Sequence, residues 1–232
     1  MKRFYAKNEL SFSLIWITLY VTLFSAAESF SASVGIVKSV TVPLCILFVL
    51  FLWRFIQKNH LMEKYGLCKF QGSAKSYLYF IPLLFLASCN LWGGITLRFS
   101  PLESVLYVIS MLCVGFIEEI IFRGFLFKAL CLKASIRQAV LVSSMTFGIG
   151  HIVNLLNGAE LFSTLLQICY AVAIGFLFTV LFYRAKSLIP CILTHGIINS
   201  LSVFAVSPSE AFSAVSAVIL IVISVGYAIF VF

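Results

Sequence analysis

The sequence has 232 residues, 62% of them hydrophobic and only 10% charged, with a mean hydropathy of +1.11. No water-soluble domain of that size can hide so much apolar surface, so composition excludes a soluble enzyme or binding module; residues 1–232 read as a single membrane domain. The formal net charge of +8 comes from sixteen Lys and Arg against eight Glu and no Asp, and these basic residues lie in short clusters between apolar runs, which marks membrane topology and contact with anionic membrane lipid rather than nucleic-acid binding.

Runs of about twenty apolar residues predict an all-α, polytopic membrane helix bundle of about eight transmembrane helices, at roughly 10–27, 36–56, 77–96, 103–127, 138–156, 161–183, 187–206 and 211–231. The first run follows Lys2, Arg3 and Lys7 and is read as an uncleaved helix, since no clear small-residue cleavage site follows it. With the N-terminus in the cytoplasm, thirteen basic residues gather on the cytoplasmic side: Lys2, Arg3, Lys7, Arg54, Lys58, Lys64, Lys69, Lys75, Lys128, Lys133, Arg137, Arg184 and Lys186. Only Lys38 and Arg98 fall on the other side, so both termini are expected in the cytoplasm. The seven cysteines are scattered without a CxxC pair or metal-ligand spacing, and read as apolar fillers of helices.

The fourth run contains GFIEEIIFRGF, residues 115–125, with Glu118, Glu119 and Arg123 set among Phe, Ile and Gly. Each ionisable group in hydrocarbon costs roughly 2.5–3.5 kcal/mol on insertion scales, so it persists only with a partner or a function. Residues four apart share a helix face, so Glu119 is expected to pair with Arg123. Glu118, about 100° round from Glu119, is left without a cation on its own helix, as a proton-transfer carboxylate would be.

His151 lies in the fifth run, after Phe147 on the same face, and the ring is placed to wall a site against lipid and fix the imidazole. Gly148 and Gly150 there are expected to permit close helix approach. His195 and Asn199 share a face of the seventh run, as two donors able to hold an oxyanion. At about 1.5 Å per residue from the basic boundary, Glu118, His151 and His195 lie ~15, ~21 and ~14 Å deep. A shared polar cavity in the bundle follows from that common depth.

EEIIFR, FGIGH and HGIIN, in that order on successive apolar runs, fit the EExxxR, FxxxH and HxxxN motifs, and the core from 103 to 206 resembles the CAAX protease and bacteriocin-processing (CPBP, or Abi) family of intramembrane proteases. That resemblance implies an eight-helix membrane peptidase in which Glu118 and His151 activate a water. His195 and Asn199 then resemble an oxyanion-stabilising pair, with Glu119, Arg123 and Phe147 in support. The family's description as metalloproteases makes Glu118, His151 and His195 candidate ligands for a divalent metal such as zinc. Glutamate-activated water without metal uses the same side chains, and the HExxH signature of zincins is absent. The expected substrate is a hydrophobic or membrane-associated peptide, with bacterial peptide maturation or bacteriocin immunity as the setting. A non-catalytic immunity or scaffolding protein of the same family is the alternative, and a transporter is disfavoured by the lack of paired, inverted halves.

Overall fold

A computed structural model of the chain describes residues 2–68 and 80–232. Lys69, Lys75 and the start of the expected 77–96 run lie outside the described residues. The helices are α1 Lys2–Lys7, α2 Glu9–Val34, α3 Thr41–Lys58, α4 Ile81–Ala87, α5 Pro101–Glu119, α6 Lys128–Cys131, α7 Ile136–Gly150, α8 Leu161–Ala185, α9 Ile189–Leu201 and α10 Glu210–Val231. Residues Ile120–Phe127 join α5 to α6 as a π-helical stretch, so that Pro101–Cys131 forms one long rod.

The helix starts follow from local chemistry. Asn8 caps α2 by accepting from the Ser11 amide at 3.0 Å, and Ser209 caps α10 through the Phe212 amide. Ser100 with Glu103 and Ser135 with Gln138 close reciprocal capping boxes on α5 and α7, and Pro101 sits where its missing N–H costs nothing. Gly35, in the left-handed region at φ 76°, ends α2.

Six helices among the described residues are long and apolar enough to cross a membrane: Glu9–Val34, Thr41–Lys58, Pro101–Cys131, Ile136–Asn157, Leu161–Ala185 and Glu210–Val231. The third and seventh expected runs instead hold shorter apolar helices, Ile81–Leu91 and Ile189–Phe204. Their apolar sequence continues past the point where the helix stops, because hydropathy registers composition and not whether the backbone keeps a helical rise.

Packing sets the site. α8 lies against both α7 and α10, α5 against α9, and α2 against the π-helical stretch, every residue of which is buried. Two helix–helix approaches are close enough to need glycine. A Cβ on Gly115 would sit 2.6 Å from the Gly196 amide nitrogen, and one on Gly148 would sit 2.7 Å from that of Val172. Gly150, expected to assist, faces open space, so of that pair Gly148 serves the α7–α8 contact. The aromatic interior joins Phe12, Trp16, Phe55, Tyr65 and Phe125 across α2, α3, the loop after α3 and the π-helical stretch.

Candidate active site

Because Gly115 of α5 touches Gly196 of α9, His195 is brought against the two carboxylates that follow one turn further along α5. Glu119 Oε1 accepts from Arg123 Nη1 at 3.0 Å, as their spacing predicts, and also lies 2.8 Å from His195 Nδ1. A carboxylate already held by Arg123 only accepts, so the Nδ1 proton belongs to His195 and donates to Glu119. On the other edge of the ring, His195 Nε2 is 3.2 Å from Glu118 Oε2, within ion-pair range although out of line for a hydrogen bond.

The two carboxylates share this dry interior with the Arg123 guanidinium and the His195 imidazole. Arg123 is fully buried; its guanidinium carbon lies 4.1 Å from the centre of the Phe147 ring and 5.9 Å from that of Phe178. Gly175 makes room for this, since a Cβ there would stand 3.0 Å from both Arg123 Nη2 and the Phe147 ring.

Phe147 sits at the centre of the site, edge-on to His151 at 5.4 Å and to His195 at 5.6 Å. His151 begins a 3-10 turn, His151–Asn157, at the end of α7. Neither the His151 imidazole nor the Asn199 side chain hydrogen-bonds to protein among the described residues. The Asn199 carbonyl accepts from Ser202 Oγ, which in turn meets Tyr107 Oη at 3.0 Å.

One member went unforeseen. Tyr20 of α2 donates its hydroxyl to Glu118 Oε1 at 2.6 Å, although the two are 98 residues apart. The available signal was depth: counted from Lys7, Tyr20 lies about 20 Å into its run, level with the motif residues.

A metal fits this donor set poorly. Among the described residues no three His, Cys, Asp or Glu side chains group as ligands, and both nitrogens of His195 are turned to Glu119 and Glu118. No step below passes through a metal.

Fold and site together define a polytopic helical membrane protein with a buried carboxylate–imidazole centre walled by aromatic rings. Residues 100–201 match the family model of the type II CAAX prenyl endopeptidase Rce1-like proteins. That segment contains all three motifs, covers a little under half of the chain, and is similar to the CAAX-protease family, a family of proteases. No curated protein matches the chain.

Proposed function

We propose that the protein is an intramembrane endopeptidase that hydrolyses a peptide bond in a hydrophobic or membrane-associated peptide. The observation that carries this reading is Glu118 Oε2, a buried carboxylate oxygen without a hydrogen bond, facing the imidazole of His195. Unlike Glu119, which is paired with Arg123, Glu118 has no cation on its own helix, and a carboxylate at that depth persists only with a partner or a function. A water placed between that oxygen and His151 gives its proton to Glu118 as its oxygen bonds to the scissile carbonyl carbon. The carbonyl electron pair moves onto oxygen, where the His195 imidazole and the Asn199 amide hold it. Collapse of the intermediate breaks the C–N bond, and the proton on Glu118 goes to the leaving amine. Glu119 supports His195 from behind, Arg123 holds Glu119 in place, and the Phe147 ring packs against the Arg123 guanidinium.

The setting is bacterial peptide maturation or bacteriocin self-immunity, with the basic side of the bundle and both chain ends in the cytoplasm. Wild type and Glu118→Gln in nanodiscs are to be incubated with a prenylated CAAX peptide and with hydrophobic leader peptides, with products read by mass spectrometry. Cleavage by wild type and none by the variant is the expected result. Equal cleavage by both removes the mechanism, and bacteriocin protection that survives joint loss of Glu118 and His151 establishes a non-catalytic role.

A further inference from the structure

We infer that Tyr20, on the first long helix and outside the segment matched by the family model, is a positioning residue that fixes which oxygen of Glu118 acts as the base. The inference rests on Glu118 having that role. A glutamate carboxylate turns about a broad, nearly two-fold terminal torsion, so a base held only by its backbone offers its two oxygens in changing orientations. Here one oxygen is taken. The phenol of Tyr20 donates to Oε1 at 2.6 Å, the short length of a bond to an ionised acceptor, and Oε2 alone is left without a hydrogen bond.

The hydroxyl is well placed to do this rather than merely to fill space. The Tyr20 ring packs on Phe24, its centroid 4.6 Å away, and the same helix bears on the buried π-helical stretch that follows the two carboxylates. The ring is thus anchored by apolar contact, and its only hydrogen-bond partner among the described residues is Glu118. Tyr20 therefore holds the carboxylate plane while Oε2 faces His195 and the place proposed for water. The segment before residue 100 then completes the active centre as well as spanning the membrane.

Tyr20→Phe keeps the ring and its packing and removes only the donor. In nanodiscs, with a fluorogenic prenylated CAAX peptide as probe, it is expected to lower kcat about 10- to 100-fold, the range for losing a hydrogen bond to a charged group, with KM and the thermal midpoint unchanged. A second arm needs no substrate: in protein labelled with ¹³C-glutamate, the carboxylate stretch that disappears in Glu118→Gln is expected to shift in Tyr20→Phe. If Glu118→Gln is inactive while Tyr20→Phe matches wild type in kcat, the positioning role is overturned and the base reading stands. If Glu118→Gln is fully active, the base reading falls and the positioning role falls with it. Should wild type leave the peptide uncut, the infrared arm decides, and an unmoved Glu118 band overturns the inference.

Discussion

Two clusters in this molecule are made of the same parts, a carboxylate, a cation and aromatic rings, and differ in what they leave unpaired. At the basic edge, Lys64 Nζ donates to both oxygens of Glu9, at 2.5 and 2.7 Å, and to Tyr5 Oη at 2.7 Å, while Tyr65 donates to the same Tyr5 oxygen. In the interior, Glu118 Oε2, Glu119 Oε2 and two nitrogens of Arg123 have no hydrogen-bond partner although they are buried. The first cluster clasps α1, α2 and the loop after α3 together, and its bonding is complete. The second leaves polar capacity unused in the interior, where it is most costly.

The contrast is sharpened most by removing the interior carboxylate. Glu118→Gln is expected to reduce kcat by about 10²- to 10⁴-fold, the usual worth of a general base, while the protein still folds. Steady-state hydrolysis alongside thermal unfolding in detergent checks both halves. Next comes Arg123→Met, which strands Glu119 in the interior. A cost of about 3–5 kcal/mol is expected from breaking a buried pair on one side, visible as a large fall in thermal midpoint or loss of folded yield. A smaller loss, about 1–3 kcal/mol, is expected for Gly115→Ala, whose Cβ would meet the backbone of Gly196 and push His195 away from Glu118. Activity in that variant should fall further than stability alone accounts for.

Lys64→Met at the basic edge should cost least, about 0–1 kcal/mol, and less still in high salt. Partial burial works against the charge on Lys64, but the hydrogen bonds to Glu9 and Tyr5 outweigh it and hold the ammonium above the ordinary lysine range. A cation whose folded pKa is raised contributes its full stability below the unfolded value and loses it as pH rises through the folded one. The difference in thermal midpoint between wild type and Lys64→Met should therefore be constant through neutral pH and vanish only in strong alkali.

Much of this was legible in the chain because the decisive residues are chemically out of place. Glu118, Glu119, Arg123, His151 and His195 stand out against hydrocarbon, and the i, i+4 relation alone paired Glu119 with Arg123. Tyr20 did not stand out, since a tyrosine is at home in an apolar helix and its partner is remote in sequence. Nor did His195's bridge between the two carboxylates, because it depends on an α5–α9 contact that two separated glycines create. Helix lengths in the third and seventh runs were overread for a different reason: apolar residues there continue through 3-10 turns and extended backbone, as at the Ile95–Ala205 bridge.

Those two truncated helices act on the lipid as well as on the protein. α9 has 13 residues, about 20 Å of rise, against a hydrocarbon layer about 30 Å thick, and the shorter α4 packs beside it, with Asn90 Nδ2 donating to the Ile198 carbonyl at 2.6 Å. In a bilayer, a flank built from helices this short favours local thinning or tilting of the lipid, a demand that the six long helices do not make.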